Sequence, residues 1–112
     1  MTIFEKIANR EIPADIVYEE GDFIAFRDVN PQAPVHVLII PKRHIPRLAE
    51  ATDGDAPLLG RMLLASQKIA AQLGVKESGY RIVINNGPDA GESVPHLHMH
   101  LLGKRSLAWP PG

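Results

Sequence analysis

The chain has 112 residues, which suits one compact domain with a real core and leaves no room for a second. Its composition, 45% hydrophobic and 22% charged, is that of an ordinary globular protein, and its formal net charge of −1 gives no electrostatic footprint for nucleic acid or an anionic membrane. It contains no cysteine, so a disulfide framework, a thiolate nucleophile and a cysteine-held zinc are excluded.

The first residues, Met1-Thr2-Ile3-Phe4-Glu5-Lys6, lack the charged and then apolar regions of an export signal. No apolar run is long enough for a transmembrane helix, so a cytoplasmic protein is expected. Phe4, Ile7 and Ala8 stand at helical spacing and predict a short helix within the first ten residues, ended by Pro13. Residues 16–19 and 23–26 are β-rich runs around Glu20-Gly21-Asp22, the pattern of a hairpin. Asp28 to Pro34 is a proline-marked loop. His36 to Ile40, closed by Pro41, is a continuous apolar run that predicts a strand buried on both faces. Leu58, Leu59, Met62, Leu63, Ser66, Ile69, Ala70 and Leu73 recur in three- and four-residue steps and predict one long helix. Asp53 and Asp55 mark its start and Gly74 its end. A strand over Tyr80 to Asn85, a turn-rich loop from Asn86 to Gly91 and a last strand over His96 to Leu102 complete the chain. The order α-β-β-β-α-β-β implies an α+β domain over residues 1–112, mostly an antiparallel sheet with helices packed on it, and a proline-stiffened tail at 109–112.

Three of the five histidines fall at strict alternation in His96-Leu97-His98-Met99-His100. In a strand this puts the three imidazoles on one face and Leu97, Met99 and Leu101 on the other. The apolar face is explained by packing on the helix. The histidine face points to chemistry, because imidazole transfers protons near neutral pH and can act as a nucleophile. One metal ion held by all three is disfavoured: alternate positions lie roughly 7 Å apart and the outer pair about 13 Å apart, against a zinc–nitrogen bond of about 2 Å. Two of them with His36 or His44 remain a possible ligand set. The loop Asn85 to Ser93 leads directly into the histidines; its glycines allow close backbone approach to a ligand, and Asn85 and Ser93 offer an amide and a hydroxyl to phosphoryl oxygens, although such a loop is equally an ordinary turn. Asp28 is placed either to take two ribose hydroxyls or simply to form a turn, and His36 is either functional or a satisfied edge histidine.

Taken together these segments resemble the histidine triad (HIT) family, whose signature is His-x-His-x-His followed by apolar residues, and most closely its Hint branch of purine nucleoside phosphoramidate hydrolases. The matching pieces span nearly the whole chain: Ile3 to Ile7, Glu11 to Ala14, Ala25 to Asp28, Asn30 to His36, Ile40 to Ile45, Gly91 to Val94 with the triad, and Trp109 to Gly112. The resemblance implies that a phosphoramidate or an acyl-adenylate-like nucleotide is cleaved through a nucleotidyl intermediate on His98. It implies that the His96 carbonyl holds the other ring nitrogen of His98, and that His100 contacts phosphoryl oxygen. His36 would stand near the leaving group with Ser93 helping to deliver its proton. Asn85 and the backbone near Gly91 and Ser93 would bind phosphate, Asp28 the ribose, and Phe4, Phe26 and Val29 the purine. It further implies a five-stranded sheet joined across a homodimer, with the tail reaching toward the partner's site. Neighbouring branches that use the same triad on dinucleoside polyphosphates, and nucleotide-sensing modules with weak catalysis, are the competing readings. Some family members bind zinc through two cysteines near the first helix with residues like His44 and His96. Thr2 and Glu5 stand at those cysteine positions, so no metal and no cofactor are expected.

Overall fold

Two strands whose side chains are apolar on both faces need cover on both faces, and that requirement organises the molecule. A computed structural model describes residues 1–112. The elements are α1 (Ile3–Ala8), β1 (Ile16–Glu20), β2 (Phe23–Arg27), β3 (Val35–Pro41), α2 (Ala56–Gln72), β4 (Tyr80–Val83) and β5 (Met99–Gly103), with 3₁₀ turns at Leu48–Glu50, Asp53–Asp55 and Pro88–Ala90. The five strands form one sheet in the order β1-β2-β3-β5-β4, and every neighbouring pair is antiparallel.

Alternation along β2 and β3 divides the core in two. Phe23, Ala25, Val35, Val37 and Ile39 join Leu58, Met62, Ala65 and Ile69 of α2 in the larger cluster. Ile24, Phe26, Leu38 and Ile40 join Phe4 and Ile7 of α1 in the smaller one. Leu97, Met99 and Leu101 belong to the α2 side, as expected of the apolar face of the histidine segment. His36 and His100, in phase with Leu38 and Leu102, therefore lie on the α1 side.

The long helix begins at Ala56, two residues before the first apolar residue of its stripe, because Pro57 suits a first turn whose N–H groups lack partners. Gly74, at φ +77°, follows its end in the left-handed conformation. The expected strand over His96 to Leu102 is shorter. His96 and His98 precede β5, which starts at Met99. The cause is local: the His96 carbonyl accepts a bond from the His98 ring and the Leu97 N–H donates to Ile45 O, so neither group enters the ladder. The expected strand over Tyr80 to Asn85 likewise ends at Val83, opposite His100, where β5 stops offering partners.

Candidate active site

The β2–β3 connection sets up the first half of the site. The Asp28 N–H donates to His36 O at 3.0 Å, so the aspartate at the end of β2 stands beside the histidine of β3. Asp28 Oδ1 accepts from Asn30 N–H at 2.9 Å in an Asx turn. The Gln32 N–H donates to His36 Nδ1 at 3.0 Å. A backbone amide can only donate, so the proton of a neutral His36 must sit on Nε2. That nitrogen lies 2.9 Å from His100 Nδ1 and 3.4 Å from Asp28 Oδ2. His36 thus donates to His100 Nδ1, and His100 in turn carries its proton on Nε2. Burial lowers the pKa of His36 against the opposing charge of Asp28. Burial, followed by repulsion from His98 and His36, lowers that of His100 to about 4. Both rings are therefore neutral at pH 7, as this hydrogen-bond sense requires.

The second half is His98. Its Nδ1 lies 2.6 Å from the carbonyl oxygen of His96. A carbonyl only accepts, so Nδ1 carries a proton, and in the neutral tautomer Nε2 is the nitrogen with the lone pair. The His98 and His100 rings are 5.0 Å apart between centroids, and Phe4 meets His98 edge-on at 5.0 Å, with Phe26 at 5.6 Å from Phe4. The site thus combines a bare imidazole nitrogen, a neighbouring N–H donor and an aromatic wall.

His96 is fully buried and holds this arrangement in place. Its Nε2–H donates to Pro41 O at 2.8 Å, at the end of β3, and its Nδ1 accepts from the Thr2 hydroxyl at 3.3 Å. Thr2 is also the N-cap of α1, in a capping box with Glu5, so one residue ties the helix that carries Phe4 to the histidine segment. Burial is the main reason that the His96 pKa is lowered.

Glu5, His44 and His96 bring one possible ligand atom each to within 4.8 Å of one another. This is where the family resemblance places a zinc ion between two thiolates and two imidazoles. The fit is poor for such an ion. Thr2 Oγ1 bonds His96 Nδ1, and Glu5 Oε1 accepts from Thr2 N–H at 2.9 Å while lying 3.9 Å from His44 Nδ1. Thr2, Glu5 and His96 are linked by hydrogen bonds and His44 turns its Nε2 to the Pro95 carbonyl, so a hydroxyl and a carboxylate stand where a closed thiolate site has sulfur. That Glu5 gathers with His44 and His96 is not legible in the sequence, where the three are far apart.

The loop before the triad is shaped by Gly87 and Gly91, with φ of +87° and +81°. Asn85 is half-buried, Ser93 is exposed, and neither side chain hydrogen-bonds to His36 or His98. Ser93 lines an open cleft with Thr2, Glu5, His44, Val94 and Pro95. The N–H groups of Ser93 and Val94 take no partner within the chain. Of the expected purine contacts, Phe4 is buried against His98 and Phe26 is buried against Phe4, whereas Val29 is fully exposed next to Asp28. Arg47, Glu92 and the Gln32 N–H were not singled out by sequence reasoning. The first two pair across 45 residues, and no local pattern announces such a pair.

The HIT domain family matches residues 9–107. An uncharacterised HIT-like protein of Synechococcus elongatus is 64% identical over 99% of this chain and 96% of its own length. A 14 kDa zinc-binding protein of Zea mays is 50% identical over 99% of this chain and 88% of its own. Among solved structures, a HIT family hydrolase from Legionella pneumophila superposes with a TM-score of 0.97 at 47% identity, covering 100% of both chains. A histidine triad nucleotide-binding protein from Candida albicans does so with a TM-score of 0.86 at 34% identity, over 98% of this chain and 83% of that one. Sequence, topology and the histidine constellation agree, and this chain belongs to the HIT domain family.

Proposed function

We propose that the protein is a nucleotidyl hydrolase that cleaves purine nucleoside phosphoramidates, or acyl-adenylate-like compounds, through a nucleotidyl intermediate on His98. The observation that carries this reading is the His98 Nδ1–H bond to the His96 carbonyl, which leaves Nε2 as a fixed lone pair. Nε2 attacks phosphorus, a P–N bond forms, and the bond to the leaving amine breaks as that amine takes up a proton from solvent, which the later attack of water returns. The Nε2–H of His100 and the unpartnered N–H groups of Ser93 and Val94 are donors for the charge that develops on the non-bridging oxygens. Water then cleaves the phosphorus–histidine bond, releasing nucleoside monophosphate and neutral His98. The base would rest on Phe4 and Phe26 with Val29 at the rim, and the ribose on Asp28.

A homodimer accompanies this reading. β4 is a free sheet edge. On one side, Leu48, Leu59, Leu63, Ile84, Leu97 and Met99 line an apolar groove, and Leu63 is half exposed. A second copy would cover that groove, and the exposed Trp109 tail would gain a surface to rest on.

The test is mass spectrometry with peptide mapping after a rapid, acid-free quench during turnover of an adenosine phosphoramidate. A nucleoside monophosphate adduct on His98 is expected. His98→Ala should lower turnover about 10⁴-fold or more while retaining AMP binding. Undiminished turnover in that variant would remove His98 as nucleophile. AMP binding without any turnover by the native protein would favour a sensing role.

A further inference from the structure

One ion pair stands behind the glycine loop and has no part in the chemistry above. Arg47 Nε lies 3.0 Å from Glu92 Oε1, and Arg47 Nη2 lies 3.1 Å from Oε2, a two-pronged contact. The Glu92 side chain is only 12% exposed. Glu92 Oε1 also accepts the Gly87 N–H at 3.0 Å, and the Glu92 N–H returns to Gly87 O at 3.2 Å, so this one residue closes the loop from Gly87 to Glu92 into a ring. Arg47 additionally contacts Glu50. The Ala49 N–H donates to Asn86 Oδ1 at 2.8 Å, a second tie between the Leu48–Glu50 turn and the loop. The residues that follow Glu92 are Ser93 and Val94, whose N–H groups are unpartnered.

We infer that Arg47 and Glu92 are positioning residues for phosphate binding: the pair sets the path of the chain into the Ser93 and Val94 amides, and Arg47 neutralises a carboxylate that would otherwise repel the nucleotide phosphate. The inference rests on the reading that this loop receives phosphate. Two features of the pair support it. Arg47 and the Gly87 N–H hold the Glu92 carboxyl below the usual carboxylate range, so the residue is an anion at neutral pH. The guanidinium is engaged by two carboxylates, so it acts on the phosphate through Glu92 and not by direct contact.

This gives a signature that general destabilisation does not. Removing the cation alone leaves a half-enclosed anion beside the phosphate, whereas removing both charges leaves two amides that can still bond. The experiment measures affinity for AMP and for adenosine in the native protein, Arg47→Gln, Glu92→Gln and the double variant, with KM and kcat on a phosphoramidate alongside. Arg47→Gln is expected to weaken AMP about tenfold, with adenosine unchanged. The double variant should recover AMP affinity to within about threefold of native. KM should follow AMP affinity, while kcat moves less. Arg47→Lys, which keeps the charge and loses the fork, should fall between Arg47→Gln and native. Equal losses for AMP and adenosine, or an Arg47→Gln defect that Glu92→Gln does not relieve, would overturn the inference. An unmoved AMP-to-adenosine ratio in Arg47→Gln would overturn it while leaving the proposed function intact. A native protein that binds no AMP would overturn both.

Discussion

His36 and His98 each have their tautomer dictated by a partner with no choice of role, and His36 passes the constraint on to His100. The Gln32 amide must donate, the His96 carbonyl must accept, and from these two contacts the proton positions of His36, His100 and His98 follow in turn. The arrangement serves neutral rings. Nitrogen-15 NMR of histidine-labelled protein should therefore show Nε2–H for His36 and His100 and Nδ1–H for His98 at pH 7. His100 should stay neutral until about pH 4. Because its folded pKa lies below the unfolded value of about 6.5, the unfolded state binds the proton first. Its contribution to stability is thus present above about pH 6.5 and is lost as pH falls through 4. His36 and His96 are shifted in the same direction by burial and add to that acid sensitivity. A His100 ring that titrates near 6.5 would contradict the buried, hydrogen-bonded arrangement.

At the scale of the element, the histidine segment works because a strand is stopped early. His96 and His98 keep the alternation of a strand, so Leu97 and Met99 still face α2, yet their backbone groups are free to bond elsewhere. At the other end, β5 closes against Val75, the fully buried residue just past α2. A side-chain carbon added at Gly103 would stand 2.8 Å from Val75 Cγ1. Gly103→Ala should therefore cost about 1–3 kcal/mol, measured by denaturant unfolding. Gly103→Ala combined with Val75→Ala should recover part of the loss. An unchanged midpoint in the single variant would mean that this end of β5 yields freely. The short helix α1 depends on a different kind of contact. Six residues would not hold a helix in water. Its capping box, the Thr2–His96 bond and the packing of Phe4 and Ile7 keep it in place.

For the whole molecule, the sheet separates two tasks. The α2 side holds the larger cluster and supplies most of the apolar burial, and the α1 side carries the histidines against a smaller core. The groove around Leu63 and Ile84 opens on the α2 side, where Leu97 and Met99 of the larger cluster form part of its lining. In the proposed dimer this groove is covered. Leu63→Asp should give a monomer by light scattering, with little change in far-ultraviolet circular dichroism, because Leu63 is half exposed in the single chain. A native protein that is already monomeric would remove the joined sheet.

By itself the sequence determined what repeats locally. The three- and four-residue stripe of α2, the doubly buried run of β3 and the alternation of His96, His98 and His100 follow from helix and strand periods, and those periods need no distant partner. The motifs around them sufficed to name the family and to point to His98, whose bond to the His96 carbonyl spans only two residues. Tertiary structure decided what depends on partners far apart in the chain. The His36–His100 bond spans 64 residues, Thr2 meets His96 across 94, and Arg47 meets Glu92 across 45. Strand ends at Val83 and Met99 and the gathering of Glu5 with His44 and His96 are of this second kind. Side-chain polar bonds are short and directional, so they form only once packing has set the backbone to within a fraction of an ångström, and no periodicity in the sequence records that distance.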